Sequence, residues 1–128
     1  MTALTNIAVI ILAAGQSTRF GPANKLLHLI DTEPVILSTA KVALNADAKE
    51  VIVVTGHDAK AIEDALNGTA VRVVRNATPQ AGMGTSLAAG ANAVRSLPDA
   101  VMIMLGDMPM IKTETLQLIA SKFAPDSG

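Results

Sequence analysis

The chain has 128 residues, half of them hydrophobic and 16% charged, and a net charge of −1. That suits one globular domain with a modest aliphatic core, and it excludes a disordered chain and a bulk partnership with nucleic acid or anionic membrane. The absence of cysteine removes disulfides, zinc–thiolate sites and thiol nucleophiles, and it fits a cytoplasmic location.

Met1–Asn6 reads as a short leader. The run Ile7-Ala8-Val9-Ile10-Ile11-Leu12-Ala13-Ala14 is apolar and rich in β-branched residues, as a strand buried on both faces is. It is too short to span a bilayer, and no basic stretch precedes it. A loop of small and polar residues follows, holding Gly15, Gly21 and two cations, Arg19 and Lys25. Small residues let backbone N–H groups approach a ligand and form an anion nest. Arginine supplies a planar fork for phosphate oxygens and lysine a compact charge. Together they suggest a triphosphate site at the end of a first parallel strand; the alternative is a plain turn with two solvated cations. Spacing excludes two other phosphate loops. A P-loop places four residues between its glycines and lysine after the second, whereas five separate Gly15 from Gly21 and Pro22 follows. The G-x-G-x-x-G dinucleotide fingerprint is also absent.

Lys25–Asp31 reads as a short extended segment with a structural His28. Asp31 or Thr32 is placed to cap a helix that has Pro34 near its first turn and runs to about Asn45. Glu50–Thr55 is a second strand, ending at Gly56 without the acidic residue a dinucleotide fold places there. Asp58 caps a helix to about Asn67, closed by Gly68; a catalytic His57–Asp58 pair is the rarer reading of the same residues. Val71–Asn76 is a third strand, and its two arginines suggest a sheet edge with one face toward water. The segment Ala77-Thr78-Pro79-Gln80-Ala81-Gly82-Met83-Gly84-Thr85-Ser86 reads as a loop leading to a helix from Leu87 to about Arg95. Its amide and hydroxyl side chains, with free helix N–H groups, suit a base and ribose pocket. Ala100–Leu105 is a fourth strand, followed at once by Gly106-Asp107-Met108-Pro109; residues 112–123 complete the pattern as a last helix.

The alternation predicts an α/β fold of Rossmann-like, three-layer αβα type, its mostly parallel sheet ordered 3-2-1-4 over these four strands, with right-handed crossovers. The first and fourth strands then adjoin, which sets Gly15, Arg19 and Lys25 beside Asp107 across one crevice. The fourth strand lies at an edge and carries no charge and no proline. Such an edge invites pairing with a second copy of the chain, unless the last helix covers it.

Leu12-Ala13-Ala14-Gly15-Gln16-Ser17-Thr18-Arg19-Phe20-Gly21, with Asn24-Lys25-Leu26-Leu27, resembles the signature of the MobA-like nucleotidyltransferases, L-A-[AG]-G-x-S-x-R-[MF]-G-x-x-K. It is most similar to the molybdenum cofactor cytidylyltransferase branch, where Leu-Ala-Ala-Gly goes with CTP and Leu-Ala-Gly-Gly with GTP, so Ala14 tilts the base choice. Gly82-Met83-Gly84-Thr85-Ser86-Leu87 resembles the family's base-recognition loop, and Gly106-Asp107 with Pro109 its Gly-Asp-x-Pro metal motif.

The resemblance implies a nucleotidyltransferase that moves CMP from CTP to a phosphate-bearing acceptor of molybdopterin type and releases pyrophosphate. Arg19, Lys25 and Asp107 are the implied catalytic residues. Leu12, Ala13, Ala14, Gly15, Gln80, Gly82 and Ser86 are the implied nucleotide contacts. Asp107 would bind Mg2+, or Mn2+ in its place. The same resemblance implies a truncated nucleotidyltransferase fold, because family members continue past Gly-Asp-x-Pro with further strands, an acceptor pocket and a second metal carboxylate. Residues 1–128 are thus expected to be one nucleotide-binding domain, incomplete at its C-terminus. Alternatives are a nucleotide-binding module without turnover, or a cytidylyltransferase acting on a sugar or polyol phosphate.

Overall fold

Seven consecutive residues, Ile7–Ala13, are buried, and the strand they form, β1, is the spine of the sheet. The computed structural model describes residues 7–13, 27, 29–30, 32–56, 59–77, 83–95 and 100–106. The further elements are β2 (Leu29–Ile30), β3 (Glu33–Pro34), α1 (Val35–Asn45), β4 (Glu50–Thr55), α2 (Ala59–Ala65), β5 (Arg72–Arg75), α3 (Met83–Ala93) and β6 (Ala100–Leu105). The main sheet is parallel throughout and ordered β5-β4-β1-β6. This is the 3-2-1-4 order expected of the four long strands.

Strand alternation divides the core in two. Ile7, Val9, Ile11 and Ala13 of β1, with Val51 and Val53 of β4, pack on Ile36, Ala40 and Ala43 of α1 and Ile62 of α2. Ile10, Leu12, Ile52 and Val54 face the other way and pack on Leu87, Ala89 and Ala93 of α3. Each large aliphatic side chain fully removed from water contributes about 1.5–3 kcal/mol. Helices therefore cover both faces, giving three layers. The chain winds outward from β1 to β4 to β5 through α1 and α2 on one face. It then crosses back to β6 through α3 on the other, as right-handed crossovers require.

Several local expectations need correction. Thr32 does not stand at the cap of α1, and Asp31 lies outside the described residues. Pro34 occupies the cap position with φ −59° and ψ 142° and provides no side-chain bond. Thr32 instead takes a left-handed φ of 69° in the tight connection between the antiparallel strands β2 and β3. Glu33 ties this hairpin to the helix: its carboxylate accepts from Ser38 Oγ at 2.6 Å and from Lys41. Both partners hold the Glu33 carboxyl below its ordinary range, Lys41 the more strongly. Helix α3 begins at Met83 rather than Leu87, so Gly84, Thr85 and Ser86 lie within its first turns. Strand β5 is at the sheet edge, as its arginines suggested, but both arginines engage carboxylates. Arg72 pairs with Glu50 and donates to the Ala93 carbonyl, while Arg75 pairs with Glu63 of α2.

Strand β6 forms the opposite edge. Its Met102 and Met104 pack into the α1–α2 side of the core. Val101, Ile103 and Leu105 share the α3 face and stay 45%, 45% and 44% exposed. The helix expected over residues 112–123 lies outside the described residues. Among the described residues, no helix is long and apolar enough to cross a membrane.

Candidate active site

Ligands of open parallel sheets bind beyond the carboxyl ends of the strands, where the winding direction reverses. Here that point lies between β1 and β6, whose pairing runs through Leu12↔Leu105. The contact extends one residue further, because Gly106 N donates to Leu12 O at 2.9 Å. By covalent continuity, the signature loop starting at Ala14 and the motif residue Asp107 leave from adjacent strand ends.

Leu12 and Ala13 are buried, and their side chains belong to opposite faces of the core. What they can present to a nucleotide is backbone, and the Leu12 carbonyl is already engaged by Gly106. Their role in a site is thus to fix where the loop starts. Ala14, Gly15, Arg19, Lys25, Gln80, Gly82 and Asp107 lie outside the described residues, as do His28, His57 and Asp58.

The remaining candidate, Ser86, is 4% exposed and serves a structural contact. Asn76, just past β5, donates from Nδ2 to Ser86 Oγ and Thr85 Oγ1, each at 2.9 Å. Asn76 is itself held, its N–H reaching the Thr55 carbonyl at 2.6 Å. One amide thus draws the end of β5 onto the first turns of α3 and brings together the two ends of the segment read as base-binding. Sequence reasoning assigned Asn76 only to a strand; the signal was a short amide at a strand's carboxyl end ahead of a hydroxyl pair. An accepting hydroxyl still has one proton to give, so this contact is compatible with Ser86 meeting a base. Asn76→Ala removes the donor from two hydroxyls at a buried position, and it should lower stability by about 1–3 kcal/mol. Urea unfolding checks this, and an unchanged midpoint would mean that the clasp contributes nothing.

Arg75, at the carboxyl end of β5, donates from Nε and Nη2 to the two Glu63 carboxylate oxygens at 2.7 and 2.9 Å. Arg75 holds the Glu63 carboxyl below its ordinary range, and the carboxylate raises the guanidinium above its own. This arginine is therefore committed to α2. Among the described residues, no group of three or more His, Cys, Asp or Glu side chains is placed to hold a metal ion.

Comparison with known proteins agrees with this geometry. The profile of the MobA-like NTP transferase domain matches residues 9–128. The bifunctional protein GlmU of Anaeromyxobacter sp. (strain K) is 36% identical over 121 residues, covering 91% of this chain and 25% of GlmU. A nucleotidyl transferase from Methanothermobacter thermautotroptrophicus superposes with a TM-score of 0.82 at 36% identity, over 90% of this chain and 56% of the other. Rv0371c from Mycobacterium tuberculosis, solved in complex with manganese, gives a TM-score of 0.70 at 31% identity, over 91% of this chain and 59% of Rv0371c. The chain thus spans about a quarter of the length of the curated relative and a little over half of the two solved ones.

Proposed function

The chain belongs to the MobA-like NTP transferase family, and on that premise we propose that it transfers a nucleoside monophosphate, CMP in preference, from an NTP to a phosphate-bearing acceptor. The observation that carries this reading is the Gly106 N to Leu12 O bond, which brings the strand ends leading into the two motifs side by side. An acceptor phosphate oxygen attacks the α-phosphorus, the bond to the β-phosphate oxygen breaks, and pyrophosphate leaves. The protein's part is to position the reactants and neutralise charge. Arg19 and the N–H groups from Ala14 onward hold the triphosphate. Lys25 sets its charge against the α-phosphate. Gln80, Gly82 and Ser86 meet the base and ribose, and Leu12 and Ala13 anchor the loop. No protein nucleophile is needed.

Asp107 is the residue that would hold a divalent cation. A hard carboxylate oxygen suits Mg2+, which takes one or two carboxylates and completes its shell with phosphate oxygens and water. The manganese complex of Rv0371c supports a divalent ion. When bound, such an ion neutralises charge on the phosphates.

The resemblance of the Leu12–Gly21 and Asn24–Leu27 signature to the molybdenum cofactor cytidylyltransferases supports a molybdopterin-type acceptor, and Ala14 supports the preference for CTP. Calorimetry with Mg2+ present should therefore show tighter binding of CTP than of GTP. Equal or reversed affinities would overturn the cytidylyl assignment and leave the fold intact. Tight CTP binding without pyrophosphate release in the presence of molybdopterin would instead favour a nucleotide-binding module or a sugar or polyol phosphate acceptor.

A further inference from the structure

Gly106 joins β6 to Asp107, and a glycine has no side chain to restrain its backbone. Its two backbone polar groups are nevertheless both held. The N–H donates to Leu12 O of β1 at 2.9 Å. The carbonyl accepts from Thr39 Oγ1 of α1 at 2.8 Å. Thr39 is 0% exposed and lies 67 positions away in sequence. Threonines within helices ordinarily return their proton to the carbonyl four residues back. For Thr39 that acceptor is Val35 O, at 3.1 Å. A hydroxyl has one proton, and the shorter contact goes to Gly106.

The consequence lies in the peptide plane. The Gly106 carbonyl belongs to the same rigid unit as the N–H of Asp107. A hydroxyl that fixes this carbonyl fixes the direction in which the chain enters Asp107. We propose that Thr39 is a positioning residue for the Asp107 carboxylate: through Gly106 it orients the strand end that presents this group to a divalent cation on the nucleotide. This inference rests on the reading of Asp107 given above. Thr39 touches neither nucleotide nor metal and acts only through the backbone. Valine keeps the branched shape of threonine, so replacing Thr39 by valine takes the donor from the Gly106 carbonyl without opening a large cavity.

The test uses Thr39→Val, which keeps the shape and removes the hydroxyl, and Thr39→Ser, which keeps the hydroxyl. Thr39→Ala replaces the first variant if it does not fold, and folding of each is checked by circular dichroism. Calorimetry measures CTP affinity with and without saturating Mn2+, and the ratio of the two is the readout. Thr39→Val should lower that ratio by about fivefold or more, the equivalent of one modest hydrogen bond, while metal-free CTP affinity stays at the parental value. Thr39→Ser should restore the ratio. A parental ratio in Thr39→Val overturns the inference, as does a Thr39→Ser variant equally impaired, or an equal loss without metal. Asp107→Asn is measured alongside. If it lowers the ratio and Thr39→Val does not, the positioning role alone fails. If Asp107→Asn leaves the ratio unchanged, the metal reading fails and the inference falls with it.

Discussion

Replacing Gly90 by valine should destabilise the protein by about 3 kcal/mol or more, a large share of the 5–15 kcal/mol that holds a typical domain together. Gly90 is the point where α3 comes down on the sheet. A Cβ there would stand 2.7 Å from Ile10 Cγ2, 3.1 Å from Val54 Cγ2 and 3.3 Å from Ile10 Cδ1. Both neighbours are β-branched, stiff at χ1 and fully buried in the centre of the sheet. Neither can swing aside, so the helix must lift. Lifting it opens the contacts of Leu87, Ala89 and Ala93 with the sheet and pulls Thr85 and Ser86 from Asn76. Gly90→Ala should cost less, because the helical preference of alanine over glycine, about 1 kcal/mol, offsets part of the strain. Gly84 is the control: it lies in the same helix with open space where its Cβ would be, so Gly84→Ala should be neutral or mildly stabilising. Urea unfolding of the three variants checks this order. A Gly90→Val midpoint equal to the parent's would mean that the helix does not seat as described.

The strands were the most legible part of the fold. Ile7–Ala13 is apolar from end to end, as a parallel strand covered on both faces is; Ala100–Leu105 reads the same way although one face of β6 stays half-exposed at the sheet edge. Alternation with helices and the handedness of crossovers then sufficed for the order β5-β4-β1-β6. Helix starts were less legible. Pro34 stands at the cap position of α1 and offers no side-chain bond, and Glu33 ties the preceding hairpin to the helix through Ser38 and Lys41. Helix α3 begins at Met83, and the partner of its first-turn hydroxyls, Asn76, lies beyond β5, outside any pattern local to the helix. The contact of Thr39 with Gly106 was beyond any local pattern, because a threonine in a helix looks the same whether its proton stays in the helix or leaves it. Gly90 left a trace, a glycine inside a run of alanines, but the close approach that requires it belongs to the sheet. For the site, residue types and spacing pointed to phosphate chemistry, while the strand ends that bring the motifs together follow from topology alone.

Lys25→Ala and Asp107→Ala should each impair handling of Mg-CTP while leaving the fold in place. In the proposed mechanism, charge develops at the α-phosphate as the acceptor oxygen approaches and pyrophosphate departs. A group aimed at that charge is worth more in the transition state than in the bound substrate. Removing the Lys25 ammonium should therefore reduce pyrophosphate release by about 10²- to 10³-fold, with a smaller loss of CTP affinity. Asp107 should show a different pattern. Without its carboxylate, the gain in CTP affinity that Mg2+ provides should disappear, while binding of metal-free CTP persists. Both residues are expected just beyond strand ends, where truncating a side chain would leave no core cavity. Thermal unfolding should accordingly stay within a few degrees of the parent for both variants. Calorimetry with and without Mg2+, joined to a pyrophosphate assay, separates the two roles. If either variant unfolds, the residue is structural. If both bind and turn over Mg-CTP as the parent does, the phosphates bind away from the β1–β6 junction, and the closeness of these two strand ends serves only the sheet.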